Sequence, residues 1–189
     1  GDQDLSTYKV FEAGGTFSGT LTTNLTFQSG YQLTFETVGG GRISELSQSL
    51  NNLAIYSSLE WIPIKTLTIR PGARFAHNSG FGSQLIPSIQ AKLNLGKKIE
   101  FRAAYGRGFR APSVRELYFE FVDTNHRIFG NPELEPELSH FFSLNVQKTY
   151  SLGKLTSKTG VSSFFNDIDN QIGLAQSATD NTAVSYINI

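Results

Sequence analysis

Between Phe17 and Tyr105 the chain keeps a period of two that few folds can satisfy. Its odd positions read Phe17, Leu21, Leu25 and Phe27, then Tyr31, Leu33 and Phe35, then Leu53, Ile55, Leu59 and Trp61. The pattern continues through Leu67, Ile69, Phe75, Leu85, Ile89, Leu93, Leu95, Ile99, Phe101 and Tyr105. Every charged residue of these segments, Glu36, Glu60, Arg70, Arg74, Lys92, Lys98, Glu100 and Arg102, sits at an even position. Successive side chains of a strand point to opposite faces, so the sheet has one apolar and one polar face. Strands are predicted near 16–27, 30–38, 51–62, 66–76, 84–95, 98–106, 139–150 and 154–165, with a partial strand from about 184 and another over 5–12. Pro63, Pro71 and Pro87 discourage helix in the same region.

The links between strands alternate in length. Ser29-Gly30, Pro63 to Lys65, Gly96-Lys97 and Ser151 to Gly153 read as tight turns, whereas 39–50, 77–83, 107–138 and 166–183 are long and rich in Gly, Asn, Ser or Pro. Short links on one rim and long links on the other describe an all-β, antiparallel up-and-down meander, the arrangement of a transmembrane β-barrel. A soluble β-sandwich also alternates apolar-in and polar-out. Segments of 9 to 11 residues, the length that crosses a bilayer at a tilt, favour the membrane. So do aromatic residues near the strand ends, Phe27, Tyr31, Trp61 and Tyr150 by short turns and Phe17, Phe75 and Tyr105 toward long links.

Composition narrows the function. The 189 residues carry 16 basic and 16 acidic side chains, so no long-range pull toward nucleic acid is expected. Fifteen Phe and seven Tyr with few charges argue against disorder. The absence of Cys excludes disulfides, thiolate metal sites and cysteine nucleophiles, and the absence of Met makes a processed or excised segment the expectation.

Residues 101–137, FRAAYGRGFRAPSVRELYFEFVDTNHRIFGNPELEPE, carry a more specific signal. The run Tyr105-Gly106-Arg107-Gly108-Phe109-Arg110-Ala111-Pro112-Ser113, then Glu116-Leu117-Tyr118, then Gly130-Asn131-Pro132 with Leu134 and Pro136-Glu137, resembles the barrel signature of TonB-dependent outer-membrane receptors. The segment VSSFFNDIDNQI at 161–172 resembles a strand and loop start of the same barrels, and the terminal SYINI the beginning of the next strand. The resemblance implies about eight or nine strands of a larger, plugged barrel in the outer membrane of a Gram-negative bacterium. It also implies a parent protein that takes up a scarce nutrient such as an iron–siderophore complex. Residues 1–189 are read as a single partial barrel domain without the plug domain or TonB box, so plug and TonB are partners only through the parent protein. An open wall leaves two unpaired edges, and self-association is expected of the isolated segment. A passive porin-like barrel and a soluble sandwich binding module are the alternatives.

Candidate ligand-binding residues cluster at the outer loop: Arg107, Arg110, Arg115, Tyr118, His126 and Arg127. Guanidinium groups pair with anionic oxygens through directional hydrogen bonds, which suits an anionic chelate. The structural reading beside it has Arg110 and Glu116 knitting the loop to the rim. Arg70, Arg74, Lys92, Glu100 and Arg102 are expected to line the lumen and meet plug or water. Outer-membrane lipid is the expected partner of the opposite face. Pro112, Gly130, Pro132 and Pro136 are expected to shape the loop, Gly130 by permitting positive φ. Glu133, Glu135 and Glu137 read as solvated charges rather than a cation site. No enzyme is indicated: Ser113, Asp123 and His126 lack a nucleophile elbow, and His77, His126 and His140 are not at zinc spacing. No cofactor and no metal site is expected.

Overall fold

The computed structural model describes residues 6–43, 46–96, 98–122, 127–176 and 183–189. Its main element is an eight-stranded antiparallel sheet in which every strand pairs with the next one available in the chain. The strands are β1 (Thr7–Thr22), β2 (Leu25–Gly39), β3 (Ser47–Ile64), β4 (Leu67–Asn78), β5 (Gly82–Leu95), β6 (Ile99–Arg110), β9 (Glu137–Leu152) and β10 (Leu155–Asp169). Between β6 and β9 lie the helix α1 (Val114–Tyr118) and the short strands β7 (Glu120–Val122) and β8 (Arg127–Phe129). These two strands join β11 (Ile172–Gln176) and β12 (Ala183–Asn188) in a second sheet of order β11-β12-β8-β7, with β12 parallel to β8.

The register carries the odd-numbered apolar face across the first six strands. Phe27 lies opposite Leu59, Ile55 opposite Phe75, Phe75 opposite Leu85, and Ile89 opposite Tyr105. At β9 the phase reverses: Phe101 pairs with Val146, Ala103 with Leu144 and Tyr105 with Phe142, so even positions of β9 continue the apolar face. The β6–β9 connection is long enough to reset the parity without breaking the face.

No second layer covers that face. Ile55 is 63% exposed, Leu85 56% and Phe165 61%, and the buried hydrophobic residues are few. A sandwich would seal these side chains between two sheets, so the sandwich alternative fails among the described residues. The compact core lies at the long-link end, where Val114 and Leu117 of α1 meet Leu50 of β3 and Leu134.

Three differences from the sequence reading have physical causes. The segment expected over 5–12 runs on through residue 22 as the single strand β1, residues 25–27 belong to β2, and the turn placed at Ser29-Gly30 lies inside β2. The hairpin turns instead at Thr23-Asn24, where the Thr22 hydroxyl donates to Asn24 Oδ1 at 2.7 Å. Gly30 is there for space: a Cβ would stand 2.5 Å from the Gly15 carbonyl oxygen and collide with the Tyr56 ring, which lies over it. The 77–83 link shrinks to three residues, because β4 runs to Asn78 and the buried Asn78 side chain accepts from the backbone of Gly80 and Phe81. The terminal SYINI does not extend the wall. Asn188 Nδ2 donates to the Glu135 and Asn170 carbonyls and Asn131 Nδ2 to that of Tyr186, which ties β12 into the small sheet.

The turn at Gly96 keeps its predicted place, while those expected at Pro63 to Lys65 and Ser151 to Gly153 move one or two residues on, to Lys65-Thr66 and Gly153-Lys154, because β3 runs to Ile64 and β9 to Leu152. Gly96 and Gly153 adopt φ of 62° and 59° on the short-link rim, a conformation that favours glycine.

Candidate functional site

The signature loop is built around one guanidinium. Arg110 ends β6 opposite Glu137, the first residue of β9. Its Nε and Nη2 each donate to Glu137 at 2.7 Å, and Nη1 donates to both oxygens of Glu116 at 3.0 Å. Glu116 is placed by α1. Ser113 caps the helix, the Glu116 amide donates to Ser113 Oγ at 3.3 Å, and Glu116 Oε2 accepts from the Ser113 amide at 2.8 Å, a capping box. Glu137 Oε1 also accepts from the Ile172 amide at 2.7 Å, so the small sheet is tied to the same cluster.

Hydrogen bonds from Arg110 hold the Glu137 carboxyl below the ordinary carboxylate range, against the opposing effect of burial, with the Ile172 amide helping. The Arg110–Glu116 contact matches the structural reading of these residues. Glu135 and Glu137 are not simply solvated as expected, since Glu135 Oε2 accepts from Asn170 Nδ2 at 3.0 Å and Glu137 is held by Arg110. No group of three or more metal-ligating side chains occurs among the described residues.

Gly130 acts by close approach rather than by the positive φ expected of it. It is absent from the positive-φ glycines, and a Cβ there would stand 2.6 Å from the Leu117 carbonyl carbon. Its amide donates to Phe119 O at 2.6 Å, which brings β8 against the end of α1.

The other basic candidates divide between two faces and the loop. Arg115 stacks over Phe119 at 5.1 Å from the ring centroid, and Arg127 stands 5.9 Å from that of Phe129. Tyr118 packs against the buried cluster of α1, β3 and Leu134. His126 lies outside the described residues. Arg107 sits opposite His140 on the apolar face, while Arg110, three residues on, belongs to the polar face. Parity along one strand therefore separates the two arginines.

Sequence reasoning missed Arg42, whose guanidinium lies 4.8 Å from the Phe121 centroid. Phe121 and Phe119 stack at 6.3 Å with an interplanar angle of 7°. Arg42, Phe121, Phe119 and Arg115 thus form a run of two stacked rings with a guanidinium over each end. The only sequence signal for it was the aromatic spacing in YFEF, because Arg42 reaches it from another loop.

The predicted luminal residues share the polar face. Arg70 pairs with Glu60, Arg102 with Glu100 at 2.7 Å and Lys92 with Glu100 at 3.3 Å, and Arg74 donates to Gln32 Oε1 at 3.0 Å. Above them, under the signature loop, a cleft of about 370 Å³ is lined by Gln32, Thr34, Asn52, Arg74, Arg110 and Ser113. Glu36 and the carboxylate-paired Arg110 share this lining, and Arg74, which donates to Gln32, is the guanidinium of the cleft that pairs with no carboxylate among the described residues.

Comparison with known proteins places this arrangement. Residues 1–189 match the family described as TonB dependent receptor-like, beta-barrel. The iron-regulated outer membrane virulence protein of Vibrio cholerae serotype O1 is 30% identical over 115 residues, covering 60% of this chain and 17% of that protein. The ferric enterobactin receptor of Pseudomonas aeruginosa is 26% identical over 156 residues, covering 77% of this chain and 20% of that protein. The chain thus spans about a fifth of the length of these relatives. Among solved structures, the siderophore receptor PirA from Pseudomonas aeruginosa superposes with a TM-score of 0.83 at 20% identity, covering 98% of this chain and 38% of that one. The Serratia marcescens hemophore receptor HasR, solved with its hemophore and heme, gives 0.79 at 14% identity, covering 97% and 37%.

Proposed function

The chain belongs to the TonB-dependent receptor-like β-barrel family, and from that premise we propose that it serves as part of the wall and outer mouth of an outer-membrane uptake receptor for an iron chelate. The observation that carries this reading is the separation of apolar and charged side chains between the two faces of the strands over residues 17–105. An uncovered apolar face suits lipid, and the ion-paired polar face suits a lumen occupied by water and a plug. The names of the relatives, iron-regulated, ferric enterobactin and hemophore receptors, support iron as the cargo.

In this reading the loop package at the long-link end meets the ligand. The Arg42–Phe121–Phe119–Arg115 run and the polar cleft beside Arg74 offer positive charge and ring faces to an anionic chelate. Arg110 contributes by holding the loop on the wall, since three of its nitrogens already donate to Glu116 and Glu137. Passage then depends on displacement of a plug by energy from TonB in the intact receptor. No catalytic step is involved. The two strand edges, β1 and β10, pair with further wall strands in the parent and favour self-association when the segment is isolated.

The test is uptake of radioactive iron, supplied as a ferric tris-catecholate, by cells whose only receptor is the intact parent protein. Accumulation that disappears when TonB is deleted is expected. Equal accumulation with and without TonB would favour a passive porin-like barrel, and no accumulation of any ferric chelate offered would reject iron as the cargo.

A further inference from the structure

Arg107 stands out among the eight arginines. The other seven each engage a carboxylate, an amide or an aromatic ring. Among the described residues, Arg107 has no ion-pair partner, and it is on the face that carries the exposed Leu, Ile and Phe side chains, where Lys148, Asp167 and Asp169 are the charged residues of β9 and β10. Its cross-strand neighbour His140 accepts or shares a hydrogen bond with Tyr105 Oη through Nδ1 at 3.0 Å. In the tautomer in which the tyrosine hydroxyl donates to Nδ1, Nε2 carries the ring proton and is a second outward donor. Asp167 faces His140 from β10, two strands from Arg107, and among the described residues no ion pair joins it to the guanidinium.

Position along the strand identifies what such a group meets. On β9 the same face runs from His140 through Phe142, Leu144 and Val146 to Lys148, which lies 4.9 Å from the Tyr150 ring centroid. That run rises about 27 Å along the strand and, at a tilt of about 40°, about 21 Å along the membrane normal. This is close to the height of a barrel's apolar band, roughly 25 Å. Arg107 and His140 therefore mark the band's edge on the long-link rim, which is the outer rim. A cation at this level needs no burial in hydrocarbon and faces the headgroups of the outer leaflet.

We propose that Arg107 and His140 form a binding site for the phosphorylated headgroup of an outer-leaflet lipid, with Tyr105 fixing the imidazole. The guanidinium supplies paired donors to phosphate oxygens, and Phe142 and Leu144 below it accommodate the acyl chain. The proposal rests on the reading of this sheet as an outer-membrane wall.

The experiment uses the intact parent protein in detergent, titrated with diphosphoryl lipid A and examined by native mass spectrometry. Arg107→Gln is expected to weaken retention about fivefold, the effect of one basic residue near a charged membrane surface, and Arg107→Lys to retain most of it. Arg102→Gln, on the opposite face of the same strand, is expected to change nothing. Unaltered retention by a folded Arg107→Gln protein would overturn the headgroup site while leaving the wall intact. Loss with Arg102→Gln but not with Arg107→Gln would overturn the face assignment itself. Inorganic phosphate that competes as strongly as the lipid would overturn the lipid as occupant. Where Arg107→Gln fails to fold, His140→Gln reads the same site and is expected to reduce retention as well.

Discussion

Leu144→Arg should destabilise the intact receptor strongly, and Ser143→Arg, one residue away, should not. Leu144 is four residues from both His140 and Lys148, about 10 Å along the normal from each edge of the apolar band, and so near mid-depth. It is 51% exposed, with no second layer over it, so removing the leucine leaves no buried cavity and the cost comes from placing charge in lipid. An arginine at mid-depth costs about 2–4 kcal/mol, or roughly a 30- to 900-fold change in the folding equilibrium. Ser143 lies opposite Ala104 on the polar face, where an arginine should shift stability by about 1 kcal/mol or less. Denaturant unfolding of the receptor in phospholipid vesicles, followed by tryptophan fluorescence and heat-shifted gel mobility, measures both. Equal costs, or a larger cost for Ser143→Arg, would refute the assignment of faces and the phase reversal at β9.

Arg110→Ala should loosen the signature loop, raising proteolytic cleavage within 111–136. It leaves Glu116 and Glu137 without their shared cation at a half-exposed site, a loss of about 1–2 kcal/mol. Acid should have the same effect. Because the Glu137 pKa is depressed in the folded loop, its contribution is present above the unfolded carboxyl value of about 4.3 and is lost as pH falls through the lower folded value. Hydrogen exchange of the loop should therefore speed up below about pH 4 in the wild type and much less in Glu137→Gln. Gly130→Ala should be more damaging than a φ argument implies, by about 1–3 kcal/mol, because its Cβ meets backbone of α1 that cannot give way. A drop in the melting temperature of the intact receptor, much smaller for Gly106→Ala, whose Cβ would meet only Ser88 Cβ at 3.9 Å, checks this; equal drops would contradict it.

The wall was legible in the sequence because lipid-facing strands cannot hide a misplaced charge. The even positions of the charged strand residues from Glu36 to Arg102 are a direct record of that constraint. The first hairpin was misread because Ser29-Gly30 has turn chemistry, and only the Tyr56 ring lying over Gly30 shows why a glycine is needed inside a strand. The loop package left almost no periodic trace. A five-residue helix and three-residue strands are shorter than a period can reveal, and their order comes from Asn131, Asn188 and Arg110 contacts between distant segments. The same applies to the candidate ligand-facing residues. Arg110 was recognisable from its motif, but Arg42 joins Phe121 only through the fold, and Arg107 changes role once register puts it on the outer face.

The central claim is that one face of the meander contacts lipid and the other does not. It can be read from single-cysteine spin labels placed along β6 and β9 of the intact receptor in a bilayer, with these segments free of native cysteine. Collision with lipid-soluble oxygen should be high at 101, 103 and 105 and low at 100, 102 and 104 on β6. On β9 it should be high at 142, 144 and 146 and low at 143 and 145. Accessibility that does not alternate, or that keeps odd parity through β9, would contradict the account.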